Sequence, residues 1–293
     1  MEFSELKYPD PVKSVNLGNN ISLAVTETGE SEEAIIFIHG LASYIPAWKN
    51  NLPELKKYFR CIAIDLPGYG KSSKGDYPVS MDFYADIIIE LMDKLKVEKA
   101  ALAGHSMGGH ISIFTALKFP DRITKLILIS PAGFETFTEE ESRFIKEAST
   151  VDVLVNNPVE QLGKNVRVNF YKMPKDAEFM IDDRIAIRDS VDFLAYCKTV
   201  IKSLHAMLDE PVFENLENLK QSTLIFYGKD DLLIPIKTIH KNLTTKKVAE
   251  SGAAKIPGSK LQMIPECGHF LQFEKAKKFN SEVIKFIADS IYD

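Results

Sequence analysis

The chain has 293 residues, 45% of them hydrophobic and 26% charged, with a formal net charge of −5. That is enough to bury one large core, and the composition excludes disorder, collagen and a coiled coil. The acidic balance argues against a nucleic-acid partner, which needs a basic surface to neutralise phosphates.

The opening MEFSELKYPDPVKSV carries acids and prolines and has no apolar run, so it is not expected to be a secretory leader. Residues 21–25 read as a strand. AIIFI at 34–38 and CIAID at 61–65 are short, continuous apolar runs, as expected of strands covered on both faces. Residues 82–95 follow with helical spacing, acids at the start and lysine near the end. ALAG at 101–104, a helix over 108–119 stopped by Pro120, and LILIS at 126–130 complete a strand–helix–strand rhythm. That rhythm predicts an α/β fold with a mostly parallel sheet and right-handed crossovers.

From residue 134 to 219 the pattern is helix after helix, as in EEESRFIKEA and SVDFLAYCKTVIKSLHAML. Strands return with TLIFYG at 223–228 and KLQMI at 260–264, and residues 273–292 read as an amphipathic helix. The expected organisation is a core of residues 1–133 and 220–293, with residues 134–219 as an inserted helical cap. Sites in open α/β sheets gather at the carboxyl ends of the strands, beneath such an insertion. No window reaches the roughly 18 to 20 apolar residues of a membrane span. Cys61, Cys197 and Cys267 are few, odd in number and without metal-ligand spacing. They are expected to be free thiols in a reducing cytoplasm, and no metal site is expected.

Gly104-His105-Ser106-Met107-Gly108 stands between a predicted strand and a predicted helix. G-x-S-x-G in that setting is a nucleophile elbow. The tight turn lifts the serine Oγ off the sheet, and the glycines let neighbouring elements pass without a Cβ clash. The Met107 N–H then lies at a helix N-terminus, where it can stabilise an oxyanion. A serine hydroxyl needs a base, and the base needs an orienting carboxylate, in the chain order Ser, acid, His. GKDDLLIP at 228–235 offers Asp230 and Asp231, and CGHF at 267–270 offers His269. GYGKSS at 68–73 fails as a phosphate-binding loop, because the position five before Gly70 is Asp65 rather than glycine. Cys267 and His269 are too close in sequence to form a dyad.

HGL at 39–41, DLPGYGKS at 65–72, GHSMGG at 104–109, GKDDLLIP and CGHF occur in order. With these motifs the chain resembles the α/β-hydrolase superfamily over nearly its whole length. The resemblance implies Asp231 as the acid, four residues before the proline of G-x-x-D-x-x-x-P. It implies the Leu41 N–H as second oxyanion donor, with Ala42 as fallback, and His39 as the histidine that shapes that loop. PAGF at 131–134 resembles capped monoacylglycerol lipases and related esterases.

The expected enzyme is a serine hydrolase of carboxylic esters, with no cofactor and a small ester substrate bearing an apolar acyl group. His39, His105, Phe134 and Phe137 are expected at the substrate. Phe144, Phe170, Phe179 and Phe193 are further candidates for an acyl pocket. The protein is expected to be a monomer or a homodimer. The runner-up is a carbon–carbon bond hydrolase of the same fold, although such enzymes usually carry Asn before the serine, where this chain has His105. Further alternatives are a slow-turnover ligand receptor and a lyase or perhydrolase using the same serine.

Overall fold

The computed structural model describes residues 1–288. Eight strands form one sheet: β1 (Lys13–Gly18), β2 (Ile21–Thr28), β3 (Ala34–Ile38), β4 (Arg60–Ile64), β5 (Ala100–His105), β6 (Ile123–Ile129), β7 (Ser222–Gly228) and β8 (Lys260–Ile264). Their spatial order is β1-β2-β4-β3-β5-β6-β7-β8. β2 runs antiparallel to both β1 and β4, and every other pair is parallel.

The continuous apolar runs have a direct cause. Along β3, Ile36 and Ile38 pack into one core cluster, and Ile35 and Phe37 into another on the opposite face. Helices Met81–Lys94, Met107–Lys118 and Thr245–Lys255 cover the first face. Leu52–Leu55 and Ala276–Ala288 cover the second. Both faces are dry, so the polar alternation of a half-solvated strand is absent.

Helix Met81–Lys94 starts where Ser80 Oγ accepts the Phe83 N–H at 2.8 Å, satisfying one orphan donor of the first turn. The predicted C-terminal helix is divided into Leu271–Glu274 and Ala276–Ala288, and its last residues, from 289, lie outside the described ones. β1 was not foreseen. It is a mostly exposed edge strand with no apolar run to mark it.

Between β6 and β7 the described chain contains helices and turns but no strand. The helices are Glu139–Ala148, Val151–Val155, Val159–Arg167, Phe179–Ala186 and Phe193–Asp209. The first opens on a reciprocal cap, in which Thr138 and Glu141 each accept the other's backbone N–H. No helix among the described residues is long and apolar enough to cross a membrane.

Candidate active site

Ser106 links β5 to helix Met107–Lys118 with φ +53° and ψ −115°, a conformation that costs a non-glycine residue energy. The surroundings enforce it. A Cβ on Gly104 would lie 2.2 Å from Gly108 O, and one on Gly108 would lie 2.1 Å from Ile38 O. Glycine at both positions lets the helix start against β3 while the serine turns outward. The Met107 N–H is at the first helical position, where the helix supplies it no acceptor.

Asp231 follows β7 and is buried. Its Oδ1 accepts the N–H groups of Leu233 (2.8 Å) and Ile234 (3.1 Å). Its Oδ2 stands 2.7 Å from His269 Nδ1. The backbone therefore clamps one carboxylate oxygen and leaves the other to orient the imidazole, with Nε2 as the nitrogen free to take a proton. Asp230 is exposed, and its N–H donates to Cys267 O at 3.0 Å, so this neighbour serves the loop.

His269 lies on the loop after β8. The insertion grips that loop: the Phe270 N–H donates to Asn169 O at 3.0 Å. Glu274 accepts from the N–H groups of Gly268 (2.8 Å), Lys172 (2.8 Å) and Tyr171 (3.2 Å). This clasp had no sequence signature. Ser106 and His269 open onto one cavity of about 340 Å³, which is also lined by Gly40, Leu41 and Ala42.

His105 reaches the cavity wall. Its Nε2 lies 3.0 Å from His269 O, which can only accept, so Nε2 carries the hydrogen. Burial, followed by its proximity to His269, pushes the His105 imidazolium well down, and the ring is neutral at pH 7.

Three expectations need correction. His39 is fully buried and absent from the cavity lining. Its Nε2 accepts the Leu66 N–H at 3.1 Å and its Nδ1 faces Gly40 O at 2.8 Å, so it braces the loop from behind the cavity. Phe134 is also off the cavity. It packs on Tyr227, with centroids 6.2 Å apart, and fills the space above Gly252. Of the further aromatics, Phe144 is exposed, while Phe170, Phe179 and Phe193 stack within the insertion or against Phe270, Phe273, Tyr44 and Tyr196. Phe137 does line the cavity.

The apolar wall comes instead from Ile145, Leu204, Met207, Leu208, Leu233 and Ile236. Residues 204, 207 and 208 share one face of helix Phe193–Asp209, a helical spacing that could have marked them. Arg184 was missed. It lines the cavity and donates to Ala42 O at 2.8 Å, holding a residue whose φ is +54°. Among the described residues no carboxylate pairs with it. No group of three His, Cys, Asp or Glu side chains among those residues could hold a metal ion.

The model of the α/β-hydrolase fold family matches residues 33–276, and the chain belongs to that family. It is a hydrolase of that fold. The chain is 29% identical over 281 residues to the 2-hydroxy-6-oxononadienedioate/2-hydroxy-6-oxononatrienedioate hydrolase of Escherichia coli (strain K12 / DH10B), with 92% of each chain covered. It is similar to the crystal structure of a probable hydrolytic enzyme from Pseudomonas aeruginosa PAO1, with TM-score 0.84, 20% identity and 97% of both chains covered. It is also similar to the meta-cleavage product hydrolase of Pseudomonas fluorescens IP01, with TM-score 0.69, 25% identity and 95% and 98% covered.

Proposed function

We propose that the chain is a serine hydrolase of carboxylic esters, with Ser106 as nucleophile, His269 as base and Asp231 as the orienting acid. One observation carries the reading: Ser106 projects from a left-handed elbow into the cavity that also holds His269, whose Nδ1 is bound to Asp231. As Oγ attacks the ester carbonyl, its proton passes to His269 Nε2. Asp231 stabilises the imidazolium. The oxyanion is received by the N–H groups of Met107 and Leu41, with Ala42 next in line. The imidazolium returns the proton to the departing alcohol. Water, deprotonated by His269, then hydrolyses the acyl-enzyme and releases the carboxylic acid and Ser106.

The insertion acts as a cap over the crevice. Its apolar wall suits an acyl chain, and no cofactor enters the scheme. The test is steady-state hydrolysis of p-nitrophenyl acetate, butyrate, octanoate and palmitate by wild type and Ser106→Ala. Turnover by wild type that the variant loses, with one preferred chain length, supports the reading. Equal rates for the two proteins sink it.

A second reading has its own support. The relative from Escherichia coli is named for a 2-hydroxy-6-oxo dienedioate, and hydrolysis at such a ketone breaks a carbon–carbon bond. Arg184, a cation on the cavity wall that pairs with no carboxylate among the described residues, suits an anionic substrate. Against this reading, His105 stands where such hydrolases usually carry Asn. Decay of the dienedioate's absorbance in the same assay, with every ester inert, would put this reading first.

A further inference from the structure

The start of the insertion and the loop carrying Asp231 are joined by a cluster that the proposed chemistry leaves unused. Glu135, just past β6, is buried. Its oxygens accept the Ile236 N–H at 3.0 and 3.1 Å, and Oε1 lies 2.6 Å from His240 Nδ1. Across the ring, His240 Nε2 lies 3.3 Å from Glu141 Oε1. Glu141 is the carboxylate that closes the cap of helix Glu139–Ala148. Phe137 stacks on the imidazole, with centroids 5.4 Å apart and planes at 20°. Glu135, Phe137 and Ile236 all line the cavity.

Each ring nitrogen of His240 therefore faces a carboxylate. Only the imidazolium can donate to both. The neutral ring donates once and turns a lone pair on the other carboxylate. Burial drives Glu135 toward its neutral form, while His240 and the Ile236 N–H oppose that and the Asp231 charge adds to it. Lys237, on the same segment as His240, turns away to Leu243 O.

We propose that His240 is a positioning residue whose imidazolium latches helix Glu139–Ala148 to the Asp231 loop and holds the Phe137–Ile236 wall of the acyl pocket. The effect on the acyl pocket rests on the hydrolase reading above, whereas the latch itself does not, and the test separates them.

Hydrogen exchange of residues 135–148 and 231–243 is compared at one pH in wild type, His240→Gln and Glu141→Gln. His240→Gln should lose protection in both segments. Glu141→Gln, whose glutamine still serves the helix cap, should lose protection chiefly in 135–148. On p-nitrophenyl octanoate, His240→Gln should raise KM about fivefold, and more than on the acetate. Wild-type protection of both segments in His240→Gln overturns the latch. If no ester is turned over, exchange still decides the latch while the ester reading falls.

Discussion

The core half of the site and the inserted half are held by different forces. Ser106 and Asp231 sit on turns directly off β5 and β7, strands buried along almost their whole length. Backbone groups fix them: Ser106 N–H donates to Ile129 O, and two N–H groups hold Asp231 Oδ1. The insertion meets the core through shared apolar clusters, with Tyr196 and Val200 in one and Phe170 and Phe270 in another, and through side-chain bonds such as Arg184 on Ala42 O and His110 on Glu210 O. It also leaves large apolar groups in water, with Phe144 59% and Val191 88% exposed. A rigid scaffold suits chemistry that tolerates little displacement, and an adaptable wall suits choice among substrates. Mutations in the core half should thus strike kcat, and those in the inserted half selectivity.

The hardest test of that division is Ser106→Ala. Hydrolysis should fall by about 10³-fold or more, with the melting temperature close to wild type. Asp231→Asn should cost about 10³- to 10⁴-fold in kcat, because the amide no longer fixes the productive tautomer. Asp230→Asn, one residue away but exposed, should remain within about twofold. A loss in Asp230→Asn matching that in Asp231→Asn would break the assignment of the acid.

The same division governs what was legible in the sequence. Strands β3 to β7 could be read because both sheet faces are covered, whereas β1, on the exposed edge, shows no pattern. The elbow was legible because two close backbone approaches require glycine at 104 and 108. The inserted wall was not. Phe134 and Phe137 look alike in sequence, yet one packs over Gly252 and the other lines the cavity. Arg184 could not be foreseen, since its partner is a backbone carbonyl 142 residues away.

Acid should destabilise the fold as a whole. Burial depresses the His39 and His110 imidazoles to about 4. In the unfolded chain they titrate near 6.5. The unfolded state thus binds protons that the folded state refuses. Their contribution is present above about pH 6.5 and is lost as pH falls toward 4. Asp65 runs the other way. Burial raises its carboxyl to about 6, so its contribution grows over much of the same window. His105, also pushed down by burial, adds to the histidines' side, so the histidines outweigh the aspartate. The expected net result is a loss of stability between pH 7 and pH 4, seen as a falling melting temperature. His110→Asn should flatten that limb. A melting temperature that rises toward pH 4 would mean that Asp65 governs instead.

Arg184→Ala probes a place where the inserted half reaches into the proposed oxyanion loop, and the way its effect divides between kcat and KM identifies what the cation does. If Arg184 serves mainly to hold Ala42, the loop loosens and the developing oxyanion loses some of its support. Deleting an oxyanion donor outright costs about 2.7–4 kcal/mol. Loosening the loop should cost less, about tenfold in kcat on neutral esters with KM nearly unchanged. If the guanidinium instead binds an anionic substrate group, KM should rise for carboxylate-bearing substrates while kcat on p-nitrophenyl butyrate is unaffected. Arg184→Lys sharpens the contrast: lysine keeps the charge but lacks the planar fork, so it should rescue anion binding better than loop geometry. Because Ala42 holds φ +54° under that hydrogen bond, the expected result is the fall in kcat. In that case the division between the halves is crossed at this contact.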